Sequence, residues 1–137
     1  MEKRRSPFRR HALALIGAAS FCGNALACEL PPGVRVESER LALSYRTLPS
    51  KIAVGEHFVL VFGFCSKKTF KVSDEIKVDA HMPEHRHGMN YRPSVVPLAP
   101  PGSGRYRSEG WLFHMPGRWE FVFEIGAERL TDSVRIE

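Results

Sequence analysis

From Trp119 to Ile125 the large apolar side chains Trp119, Phe121, Phe123 and Ile125 alternate with Arg118, Glu120, Val122 and Glu124. A period of two places alternate residues on opposite faces of an extended strand, so this stretch has one face to bury and cannot serve as an amphipathic helix. The same pattern recurs at short intervals. Leu41, Leu43 and Tyr45 alternate with smaller or polar residues, and Ile76, Val78, Ala80 and Met82 alternate with Lys77, Asp79 and His81. Leu130, Val134 and Ile136 line a last strand after the turn-forming Gly126-Ala127. Residues 57–64 are apolar on both faces, as a central strand requires. Pro83 ends regular pairing, and Val95 and Val96 form a short strand within a proline-rich loop. No helical period stands out after residue 28. These signals predict an all-β chain, an immunoglobulin-like antiparallel β-sandwich of about seven strands.

The first 27 residues read differently. A basic start (Lys3, Arg4, Arg5, Arg9, Arg10) precedes an apolar run from Ala12 to Phe21 and the small-x-small site Ala25-Leu26-Ala27. This is the three-part plan of a cleaved signal peptide, and the run is too short to cross a bilayer. The expectation is a signal peptide over 1–27, one domain over 28–137 and a periplasmic location. Acylation of Cys28 in a lipoprotein is the weaker alternative, because Ala25 stands where a branched aliphatic is usual. Without the leader's five basic residues and one acidic residue, the 20 Lys+Arg and 15 Asp+Glu fall to 15 and 14, a net of +1. A basic footprint for nucleic acid is therefore not expected. Cys22 leaves with the leader, and Cys28 and Cys65 remain as a lone pair that an oxidising compartment would join in a disulfide.

The chemistry is concentrated in two stretches, Asp79–Tyr91 and Trp111–Trp119, which hold four of the six histidines and three of the four methionines. His85, His87 and Met89 stand at i, i+2 and i+4, so on an extended segment they project to one face as a tripod, and Gly88 lets the backbone bend around an ion. A fourth ligand would come from His114 or Met115. Parity with Trp111 and Phe113 favours core packing for Met115 and leaves His114 open. The same parity makes Met82 a core residue and His81 a solvated one. Any one of these histidines alone is better read as part of a polar turn. Together they favour a metal. Imidazole and thioether are neutral ligands that copper accepts, thioether preferring Cu(I), whereas zinc would call for thiolate or carboxylate as well. No nucleophile elbow frames a serine, and Glu84 beside His85 lacks the helical spacing of a zinc-protease motif, so no enzyme is expected.

One further pattern runs through the same residues. Met82-Pro83 with His85, His87, Gly88 and Met89 is followed by Pro93 and Gly104-Arg105-Tyr106. Gly110, Phe113, Met115-Pro116-Gly117 and Trp119-Glu120 complete it. In order and spacing these motifs resemble the YtkA-like (FixH-related) family of small exported domains, over roughly residues 50–137. The resemblance implies an immunoglobulin-like fold outside the cytoplasm and an association with copper handling, membrane transport or oxidase assembly. It implies ligand positions at His85, His87 and Met89, while the cysteine pair is not part of the family's general pattern. The expected function is a periplasmic carrier or buffer of Cu(I), whose partners are a copper donor or acceptor protein or a membrane complex. No small-molecule substrate is expected. The alternative is a non-catalytic interaction module without metal, accessory to a transporter or to oxidase assembly.

Overall fold

A computed structural model describes residues 29–67 and 75–137. The expected leader and Cys28 lie outside the described residues. Nine strands run in chain order: β1 (Val34–Glu37), β2 (Leu41–Leu48), β3 (His57–Ser66), β4 (Ile76–Met82), β5 (His87–Gly88), β6 (Ser94–Pro97), β7 (Arg105–Leu112), β8 (Gly117–Ile125) and β9 (Glu128–Ile136). No helix occurs among the described residues. The strands form two antiparallel sheets, one ordered β1-β2-β3-β7-β6 and the other β5-β4-β8-β9. The chain is therefore an all-β sandwich. The expected count was about seven; β1 and the two-residue β5 are too short to leave a periodic trace.

The alternation read from the sequence is the burial pattern of the core. Trp119, Phe121, Phe123 and Ile125 of β8 are buried, facing Leu41, Leu43 and Tyr45 of β2 and Phe58, Leu60 and Phe62 of β3. Burial of each such side chain contributes roughly 1.5–3 kcal/mol, and aromatic pairs add specificity of angle. Phe121 meets Tyr45, Phe58, Trp111 and Phe113 at ring-centroid distances of 5.3, 6.3, 5.4 and 5.7 Å, and so joins the sheets at their centre. β3 lies in the interior of its sheet between β2 and β7, as its two-sided apolarity requires. The indole nitrogens are both satisfied, Trp111 donating to buried Ser108 Oγ at 2.9 Å and Trp119 to the Met115 carbonyl at 3.0 Å. Cys65, near the end of β3, is disulfide-bonded.

The stretch from Trp111 to Trp119 spans two strands: β7 ends at Leu112 and β8 begins at Gly117. Pro116 has no amide hydrogen to donate to a ladder, and Gly117 has φ +128°, a conformation that L side chains rarely adopt. The chain crosses here from one sheet to the other. A Cβ on Gly117 would stand 2.6 Å from Cε of Met82, which is itself buried. Gly117→Ala should therefore destabilise the domain by about 1–3 kcal/mol, through positive φ and overpacking together. The midpoint of urea unfolding measures this.

Tyr45 of β2 donates to Asp132 Oδ2 of β9 at 2.5 Å, a bond between the two sheets. Burial, and then the hydrogen bond to Asp132, push the Tyr45 phenol well above its ordinary pKa. In the unfolded chain it titrates near ~10. A phenol kept neutral by folding contributes stability that is complete below that pH and is lost as pH rises toward the folded value. Wild type should lose stability above pH ~10, and Tyr45→Phe should flatten that alkaline limb while lowering neutral-pH stability by about 1–2 kcal/mol. Urea unfolding from pH 7 upward tests both effects.

Candidate metal centre

After Met82 the chain turns sharply through residues 83–86, where His85 N–H donates to the Met82 carbonyl at 3.2 Å and Arg86 has φ +50°. It then runs back along β4, with His87 opposite Met82 and Gly88 opposite His81. Met89 N–H continues the contact to the Ala80 carbonyl at 3.3 Å. Arg118 of β8 reaches Glu84 at 3.1 Å and ties the turn to the neighbouring strand. Directly opposed residues of a ladder share a face, so His87 stands on the face of buried Met82. His81 belongs to the opposite face, as its parity implied, but it is half-buried 3.6 Å from Glu120 Oε1 instead of fully solvated.

The connection from β7 to β8 meets this hairpin. Phe113 is stacked on Trp119 with centroids 4.3 Å apart and planes at 14°. The Gly55 amide donates to the Phe113 carbonyl at 2.8 Å, which further fixes the connection. His114, next in the chain, sets its ring edge-on to Trp119 at 5.5 Å and 81°. Its Nε2 lies 2.5 Å from Nε2 of His87, with the ring centroids 4.6 Å apart. Two ring nitrogens at this distance cannot both carry hydrogen. One nitrogen donates and the other accepts, and an ion held by both would have to part them to roughly 3.5–4 Å, the separation of two ligands each about 2 Å from a metal in a trigonal or linear site. His114 Nδ1 is buried and has no hydrogen-bond partner among the described residues.

The candidate ligands are therefore distributed unevenly. The structure brings His87 and His114 together. His85 stands exposed in the turn, and the positive φ of Arg86 interrupts the extended segment on which an aligned tripod depended. The same-face relation survives from His87 to Met89. Met89 is half-buried, packs on the core and lines a small cavity with His57, Tyr91 and Leu112. Met115 is half-buried against the core beside His114. Among the described residues no three or more His, Cys, Asp or Glu side chains gather as a metal cage. The donor set at this end is thus two imidazoles with thioethers close in the chain, which fits a soft, low-coordinate ion such as Cu(I) better than zinc. Cys65 is excluded from it, since eight steps along extended β3 separate it from His57 by roughly 26 Å.

His57 was not singled out from the sequence. It begins β3 opposite Leu112 at the end of β7, and only that pairing brings it to the cavity lined by Met89. No family model, curated protein or solved structure matches the chain.

Proposed function

We propose that the protein is an exported, periplasmic copper-binding domain, a carrier or buffer of Cu(I) and not an enzyme. The observation that carries this reading is the convergence of His87 and His114, two imidazole nitrogens held 2.5 Å apart by separate segments. Copper is the cargo. His87 and His114 hold it through Nε2, Met89 or Met115 supplies a thioether that favours the cuprous state, and exposed His85 assists in capture. Exposure of His87 suits transfer to a partner, since a carrier must surrender its ion to another protein's ligands. The leader-like N-terminus supports export, with a Cys28–Cys65 disulfide in the mature chain. The motif order supports membership of the YtkA-like family, with an immunoglobulin-like sandwich, and service to a membrane complex or oxidase assembly.

A second reading rests on Tyr91, which is 79% exposed beside the same hairpin. An aromatic side chain left in water next to a two-residue edge strand suits docking to a protein partner, with no metal involved.

Competition against a cuprous and a cupric chelator separates the two readings. His87→Ala and His114→Ala should weaken Cu(I) by similar factors, at least about tenfold each, because the loss of either leaves a single imidazole. Met89→Ala and Met115→Ala should identify the thioether by weakening Cu(I) more than Cu(II). Acidification should lower affinity in wild type, since protons compete for the same nitrogens. If none of these substitutions changes copper affinity, the metal reading fails and the docking reading stands.

A second expectation concerns processing. Intact mass of protein recovered from the periplasm should correspond to residues 28–137 less two hydrogens. An acylated Cys28, or two alkylatable thiols in the native protein, would overturn it.

A further inference from the structure

The edges of the two sheets meet along a seam between β1–β2 on one side and β9 on the other. One part of it is laced shut. Ser38 Oγ donates to Glu128 at 2.9 Å, Arg40 pairs with the same carboxylate at 3.4 Å, and Tyr45 bonds Asp132. Past Asp132 the seam opens into a groove of roughly 650 Å3, within the size range of sites for small organic ligands. Its inner wall is apolar, from Ile52, Phe121, Val134 and Ile136. Phe121 and Ile136 belong to the core itself, so the groove reaches the interior of the sandwich.

The mouth of the groove is charged. Arg46 comes from β2, Lys51 from the connection to β3, and Arg135 from β9, and all three are exposed. None of them makes an ion pair among the described residues, in contrast to Arg35, Arg107, Arg118 and Arg129, each held by a glutamate. Glu137 also lines the groove and offsets one of the three cations. Three cations from three segments converge on a single opening above an apolar wall. That convergence suits a compact anionic head with an apolar body better than an extended acidic peptide, whose charges would need cations spaced along a strand. With that offset two positive charges remain at the mouth, so the opening favours an anionic head over a neutral or cationic one.

We infer that the open end of this seam binds a small amphipathic anion, its head among Arg46, Lys51 and Arg135 and its tail against Ile52, Phe121 and Val134. The inference departs from the expectation that no small molecule is bound, because that expectation rested on motifs, and this groove is made by packing. It is independent of the copper reading. His87 lies on β5, at one edge of the four-stranded sheet, and Val134 lies on β9, at the other. Three strand spacings, roughly 14 Å, separate the two edges.

The test titrates the full mature protein with sodium decanoate and decyltrimethylammonium below their micelle concentrations and 1-decanol below its solubility limit, by calorimetry and amide NMR shifts. Decanoate should bind saturably at one to one and at least about tenfold more tightly than the other two. Its shift changes should centre on Thr47, Ile52 and Val134. The double variant Arg46→Gln, Arg135→Gln should weaken decanoate at least about tenfold with an unchanged melting temperature, since both side chains are exposed. Val134→Glu should abolish binding, and His87→Ala should leave it intact. Equal binding of the cationic amphiphile, indifference to the double substitution, or shift changes centred elsewhere would each overturn the inference.

Discussion

The stack of Phe113 on Trp119 decides how this molecule is put together. Phe113 stands just past the end of β7 and Trp119 lies on β8, so the two rings fasten one sheet to the other where the chain crosses between them. Phe121 then extends the contact to Phe58, Trp111 and Tyr45. A connection clamped in this way has little freedom. Phe113 turns inward, Trp119 bonds the Met115 carbonyl, and His114 between them is set edge-on to the indole. The position of the candidate ligand follows from the packing of its neighbours.

The partner histidine is placed by a second close fit. Met82 ends β4 under the first residue of β8, where any side chain in place of Gly117 would meet its terminal methyl. Pro83 then ends the strand, and the turn back through Arg86 puts His87 opposite Met82. Met82 thus serves as a spacer between the hairpin that carries His87 and the crossing that carries His114. The disulfide-bonded Cys65 sits toward the opposite end of β3 from His57, so covalent closure and ligand chemistry are segregated along the long axis of the sheet. In the proposed carrier role that separation would matter, because ligands that exchange an ion must move while the rest of the sandwich holds still.

The seam between the sheets follows the same economy. Hydrogen bonds and an ion pair close it from Glu128 to Asp132, and beyond it is lined by apolar side chains and by cations that make no ion pair among the described residues. The edges of a sandwich are where its interior can be reached without breaking a ladder, and this one is open along part of its length.

Much of the fold was legible in the residues alone. The alternation from Trp119 to Ile125, the inward parity of Met82 and the two-sided apolarity of residues 57–64 are local patterns, and each reports which face of a strand is buried. The kinds of donor at one end, imidazole and thioether, were legible for the same reason, since they are properties of single side chains. What the sequence did not contain was the pairing of His87 with His114, 27 residues apart. Parity through Phe113 left His114 open, since it could not say where the strand ends, and parity was carried through Arg86 as if the hairpin were extended. His57 and the cationic groove were hidden more completely, because each is assembled from strands that meet only across the sheets. Period and composition are set by neighbours in the chain, so the sequence by itself determined the strands and the chemistry available to them. Which donors face each other depends on where the chain turns and on what its aromatic rings pack against, and only the tertiary structure decided that.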